Sequence, residues 1–216
     1  MTIAMLAAVT AQVDPDGPTS AVEAAPRRLD GLDGEQGDEQ IRARLAVQDR
    51  RGALSLCARR FGVSLGRLCF AMLASQPEAD EAAQETLLAA YDGALGFRGE
   101  GTVKSWLFGI ARRICARRLE VRTRQQRRTR LLVPVAQDAW NDGGGSDMQL
   151  EAARRGKALR DALGELRPTE REAVLLRFEG DLSFRDVGVA CGIDEAAARK
   201  RVSRALSRLR ERLGSE

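Results

Sequence analysis

The chain has 216 residues, of which 44% are hydrophobic and only 4% aromatic, so it can build one medium domain or two small ones, and its wealth of Ala, Leu and Arg favours helices over sheets. The formal charge of +4 hides an asymmetry: Asp14 to Glu39 is mostly acidic, Lys104 to Arg130 is basic but for Glu120, and Arg199 to Arg212 is basic again. With no histidine and with Cys57, Cys69, Cys115 and Cys191 in no C-x-x-C spacing, the composition argues against a structural zinc site, and the thiols read as small core residues of a reducing compartment.

Residues 1–38 show no sustained period and are rich in Ala, Pro, Gly and Asp, which predicts a disordered acidic tail. The opening MTIAMLAAVTAQ lacks the basic start of a secretory signal, and no apolar run is long enough to span a bilayer. From Ile41 the apolar residues recur with helical period through Leu45, Leu56, Phe61, Leu65, Leu68 and Met72 to Ser75. After Pro77 a second helix begins near Glu78, with Ala82, Ala83, Leu87, Leu88 and Tyr91 expected inward and Glu81, Gln84 and Glu85 outward.

Gly93, Gly96, Gly99 and Gly101 mark a loop, and a third helix starts at Thr102. Its buried side would carry Leu107, Ile110, Ala111, Ile114 and Cys115, with Arg113 and Arg117 opposite and Arg112 and Arg118 flanking them. Between residues 121 and 149 the composition passes through Pro134 to NDGGGS, a flexible-linker signature. Helical period returns at Leu150. Thr169-x-x-Glu172 has the form of a capping box, Ser183 and Asp186 open a further helix that ends at Gly192, and Asp194 caps the last one. The fold class is therefore all-α: two small helical domains, 39–120 and 150–214, joined by the linker.

The stretch 183–213 has the spacing of a helix-turn-helix. Ala196, Ala197 and Ala198 give the second helix a slim leading edge, followed by Arg199, Lys200, Arg201 and Arg204. Small residues let a helix backbone close on the major groove, and long donors behind them reach phosphates and guanine edges. Two separated basic segments suggest a polyanion held at two points.

The order of these parts resembles the extracytoplasmic-function group of bacterial sigma factors. The resemblance rests on ADEAAQETLLAAY at 79–91, FRGEGTVKSWLFGIAR at 97–112 and LGELRPTEREAVLLRFEGDLSF at 163–184 followed by the helix-turn-helix. It implies a region 2-like first domain that binds core RNA polymerase through Glu81, Gln84, Glu85 and Leu88. It also implies that this domain captures the minus-ten strand through Phe97, Arg98, Gly99, Glu100, Lys104, Arg112, Arg113 and Arg117. A region 4-like second domain would read the minus-thirty-five element through Ala197, Arg199, Lys200, Arg201, Ser203 and Arg204. Phe97 and Trp106 are each open to two readings, a base platform or a core residue.

Five positions depart from the usual pattern: Glu81 for Asp, Leu87 for Phe, Arg113 for Asn, Arg167 for Leu and Gly188 for Ala. The last is expected to cost a helix up to ~1 kcal/mol. Arg113 puts the identity of the recognised minus-ten base in doubt. The resemblance further implies promoter DNA and core RNA polymerase as partners, allows an anti-sigma factor, and predicts a cytoplasmic protein with no cofactor, no metal, no catalytic residue and no membrane contact of its own. Competing readings are a helix-turn-helix regulator without a sigma role, a DNA recombinase and a basic chromatin-like protein. The first leaves the 97–112 segment without a purpose, the second lacks a nucleophile with a base, and the third does not need two patterned domains.

Promoter elements two helical turns apart lie ~70 Å from each other. A linker of about thirty residues reaches at most ~100 Å but averages only ~30 Å as a coil. The isolated protein should therefore bind promoter duplex poorly, with polymerase supplying the spacing.

Overall fold

The computed structural model describes residues 35–129 and 147–214, and the described residues form eight α-helices, one 3₁₀ turn and no strand. The first half holds α1 (Glu35–Ala46), α2 (Arg50–Leu73), α3 (Gln76–Gly93), the 3₁₀ turn Ala94–Gly96 and α4 (Val103–Thr129). The second holds α5 (Asp147–Glu165), α6 (Pro168–Phe178), α7 (Phe184–Cys191) and α8 (Glu195–Leu213).

The apolar stripe from Ile41 is not one helix. It breaks at Val47–Asp49, where Gln48 takes a left-handed φ of 60° and the Asp49 carboxylate accepts from the Gly52 amide at 2.8 Å. That amide, with the Arg44 guanidinium beside it, holds the Asp49 carboxyl below its ordinary pKa. Helix α1 begins at Glu35, so residues 35–38, expected in the tail, are helical; residues 1–34 lie outside the described residues. Helix α4 runs to Thr129 and α5 starts at Asp147, which takes both ends of the expected linker into helix; residues 130–146 are outside the described residues. Leu88, placed inward by the sequence pattern, is 65% exposed, and Tyr91 also faces out. Thr86 is buried in its stead, its hydroxyl donating to the Ala82 carbonyl at 2.7 Å.

Leu107, Ile110, Ala111, Ile114 and Cys115 are buried as the period predicts, with Phe108 fully enclosed beside them. Cys57 and Cys69 are buried as well, and burial pushes the Cys57 thiol up to about 11. Cys191 is half-buried.

In the second half Ser183 and Asp186 bond reciprocally, the Asp186 amide donating to Ser183 Oγ at 3.0 Å, and Asp194 accepts from the Ala197 amide at 2.7 Å. Gly192 closes α7 in the left-handed conformation at φ 68°. The capping box at Thr169 does not form. The N-cap of α6 is Arg167 with Pro168 in the first turn, and Glu172 turns away to Arg112 of α4, 2.8 Å distant.

Gly188 is not the weakness its helix propensity suggests. A Cβ there would lie 2.7 Å from the Ile193 carbonyl oxygen and 3.3 Å from Asp194 C, in the turn where the Ile193 amide donates to the Gly188 carbonyl at 2.9 Å. Close approach of the turn outweighs helix propensity. Gly188→Ala should therefore destabilise the second half, by about 1–3 kcal/mol as for other overpacked sites. A urea midpoint that rises in Gly188→Ala would show that propensity decides there after all.

Candidate nucleic-acid interface

The glycine loop is held from behind by α1. Arg42 Nη2 donates to the Gly101 carbonyl at 2.6 Å, and its guanidinium lies 5.5 Å from the centre of the Phe97 ring. Asp38 accepts from the Val103 amide at 2.8 Å, satisfying one of the first donors of α4, and Thr102 Oγ1 accepts from the Ser105 amide at 3.0 Å. Asp38 and Arg42 were missed by the sequence reading, which assigned the first to the tail; their i, i+4 spacing was the only local signal.

Gly99, at φ 72°, turns the loop outward. Arg98, Gly99 and Glu100 are exposed, while Phe97 is half-buried with its ring 5.3 Å from that of Trp106. Both rings pack against the core and both line an open cleft of about 180 Å³. Glu100, Arg113 and, from α7, Val189 complete its walls. Each ring therefore packs on the core and also lines the cleft.

The predicted minus-ten cations do not share one surface. Arg113 is exposed and forms no ion pair among the described residues. Arg112 bridges to the second half, with Nη1 2.8 Å from Glu172 and Nε donating to the Ala190 carbonyl at 3.1 Å. Lys104 also turns that way, donating to the Asp181 carbonyl at 3.3 Å. Burial pushes its pKa down and the Asp181 charge opposes the shift.

Arg117 pairs with Glu85 at 2.5 Å, and Arg118 pairs with both Glu81 and Glu85 at 2.9 Å. The two carboxylates raise the Arg118 pKa further. Two of the four residues expected to face polymerase are therefore already matched with arginines of α4. Gln84 and Leu88 beside them are exposed.

On α8, Lys200, Ser203 and Arg204 are exposed, Ala197 is half-buried, and Ala198 is buried. Arg201 is half-buried on the side that acts on Cys191. Arg199 is held in place, paired with Glu195 at 3.1 Å and stacked 4.4 Å over the Phe184 ring.

Fold and site together define a helical protein of the helix-turn-helix class with an aromatic-walled glycine-loop cleft ahead of that motif. Residues 58–128 match the family Sigma-70 region 2, and residues 156–209 match Sigma-70, region 4. The ECF RNA polymerase sigma factor SigM of Mycobacterium tuberculosis is 30% identical over 182 residues, covering 83% of this chain and 86% of that protein. SigG of the same organism is 33% identical over 122 residues, or 55% of this chain, and the match spans only 33% of SigG.

Among solved structures, CnrH in complex with the cytosolic domain of CnrY superposes with a TM-score of 0.58 at 21% identity, over 83% of this chain and 99% of that one. The sigma factor RpoE in complex with the anti-sigma factor NepR from Bartonella quintana gives 0.53 at 24%, over 72% and 95%. At those identities the structures speak for the two-domain helical fold. The chain belongs to the ECF RNA polymerase sigma factor family of sigma-70 proteins.

Proposed function

We propose that the protein is an alternative sigma factor, which joins core RNA polymerase, directs it to promoters and opens the minus-ten duplex. The observation that carries this is the pairing, on one chain, of an aromatic-walled glycine-loop cleft with an exposed cationic recognition helix, in the region 2 then region 4 order. The first half, residues 39–120, would serve polymerase and the melted strand. The second, residues 150–214, would serve the upstream duplex.

Unstacking a base costs a few kcal/mol, and stacking on an aromatic wall returns about 1–3 kcal/mol per base. One captured base is too little on its own, so phosphate contacts must add to it; Arg113, beside the cleft and unpaired among the described residues, is placed to make one. Such a protein acts by binding, with the chemistry left to polymerase. No described helix is long and apolar enough to cross a membrane, and work on promoter DNA puts the protein in the cytoplasm. An anti-sigma factor is a fitting partner, since the similar sigma factor RpoE was solved in complex with the anti-sigma factor NepR.

Run-off transcription with core polymerase, followed by start-site mapping, tests the reading. The protein should give discrete starts that core polymerase alone does not. Arg113→Ala should cut open-complex formation by roughly fivefold or more, the worth of about 1 kcal/mol or a little above. Duplex binding without any polymerase-dependent start would point instead to a regulator with no sigma role.

A further inference from the structure

Helix α1 lies outside the segment that matches region 2, which begins at residue 58, yet it reaches the glycine loop at several points. Arg42 is the centre of the contact. Its Nη2 donates to the Gly101 carbonyl at 2.6 Å, and its guanidinium lies 5.5 Å from the centre of the Phe97 ring. Its Nη1 is 3.5 Å from where a Cβ on Gly99 would stand. One planar group therefore lies against the aromatic that opens the loop, its left-handed turn and its last glycine. Asp38, one helical turn earlier, is 3.8 Å from Arg42 Nη2. Because Asp38 also accepts from the Val103 amide at 2.8 Å, the same pair fixes the point where the loop becomes α4.

The loop has little of its own to set its shape. Arg98, Gly99 and Glu100 are exposed, and no backbone hydrogen bond joins residues 97–102 to one another among the described residues. Glycine at 99 and 101 leaves many backbone conformations open. A site built on such a chain binds more weakly by the fraction of time it spends in other shapes. Arg42 opposes that loss with a charge-assisted bond to the backbone and a cation over the ring. Neither Arg42 nor Asp38 belongs to the walls of the cleft. Both act through the loop, not on what enters it.

We propose that α1 is part of the promoter-opening apparatus. Arg42, steadied by Asp38, is a positioning residue that keeps Phe97 and the 99–101 backbone in the shape that receives an unstacked base. This rests on the sigma reading of the cleft and adds to it a helix beyond the matched segment. The effect falls on opening rather than on assembly. None of the contacts that Arg42 makes is to α8 or to Glu81, Gln84 and Glu85 of α3.

The test joins a spectroscopic arm on the free full-length chain to a kinetic arm on the holoenzyme. Trp106, its ring 5.3 Å from that of Phe97, reports the loop once the second tryptophan is replaced by Trp140→Phe. In that background Arg42→Ala should shift the Trp106 emission to the red and raise its quenching by acrylamide. On a promoter mapped by run-off transcription, it should slow the appearance of permanganate-reactive open complexes about tenfold, the worth of one charge-assisted bond. Affinity for core polymerase and for the unopened promoter should change by less than about twofold, the split expected of a residue that acts on the later step alone. Arg42→Lys keeps a donor for the Gly101 carbonyl but loses the planar group over Phe97, so it should recover part of both signals. If circular dichroism shows Arg42→Ala unfolded, Arg42→Lys carries the test by itself.

The Trp106 signals and the opening rate must move together while polymerase affinity holds. Any other combination overturns the brace. A loop that loosens without slower opening, slower opening with Trp106 unmoved, or an equal loss of polymerase binding would each do so. A wild type that gives no polymerase-dependent start removes the sigma reading instead, and the Trp106 arm, which needs no polymerase, still decides whether Arg42 holds the loop.

Discussion

Phe108→Ala is expected to lower the stability of the fold by about 3–5 kcal/mol, the usual loss for a fully enclosed aromatic. For a chain of this size that is roughly 10 °C or more in the thermal midpoint. The side chain is 0% exposed, and its cover comes from two directions. Its own half supplies the helix core, while Gly180, after α6, approaches so near that a Cβ there would sit 3.0 Å from Phe108 Cδ1. Lys104 lies over the ring at 5.8 Å.

Truncation thus removes contacts inside the first half and across to the second at once. Urea unfolding followed by circular dichroism measures it. A loss below about 1 kcal/mol would mean that the ring is not enclosed and that the halves do not pack as described. Gly180→Ala gives the complementary check, because the added methyl would press on the ring and on the Leu176 carbonyl oxygen, 2.5 Å from the position of its Cβ.

Phe108 also shows what the amino-acid order reveals and what it withholds. Helical period named five buried residues of α4 correctly, because burial within a half repeats every three to four residues. It left out Phe108, which faces the second half. The caps at Ser183, Gly192 and Asp194 were legible for the same local reason. The break at Gln48 was not, since the apolar stripe continues on both sides and no Pro or Gly announces it.

The candidate site divides in the same way. The glycine loop and the alanine-edged cationic helix were visible as composition. The partners of the charges were not. Arg112 with Glu172, Arg117 with Glu85, and Asp38 with the Val103 amide are joined by tertiary approach, at sequence separations of 60, 32 and 65. Gly188 shows a wrong sign rather than an omission: propensity treats it as a weak helix residue, and the turn behind it admits nothing larger.

Arg204→Ala and Lys200→Ala are expected to reduce use of a mapped promoter by roughly five- to a hundredfold, the worth of about 1–3 kcal/mol for a base-edge contact. Arg199→Ala should not match them. All three are cations of one recognition helix, and residue type alone ranks them equally. Their surroundings do not. Lys200 and Arg204 are exposed and lie one turn apart on one face with Ser203 between them. Arg199 is spent within the protein, its guanidinium 3.1 Å from Glu195 and stacked on Phe184.

Its removal would uncover Phe184, which is 5% exposed at the start of α7, so the cost should fall on folding rather than on DNA. Run-off yield at matched folded fraction, with the upstream element intact and then scrambled, separates the two. Arg204→Ala should lose most of the advantage of the intact element, and Arg199→Ala should keep it while melting earlier. If Arg199→Ala loses that advantage and Arg204→Ala keeps it, the reading face of α8 lies further round the helix, and the contact with the upstream duplex must be redrawn around Arg199, Ala196 and Ser203.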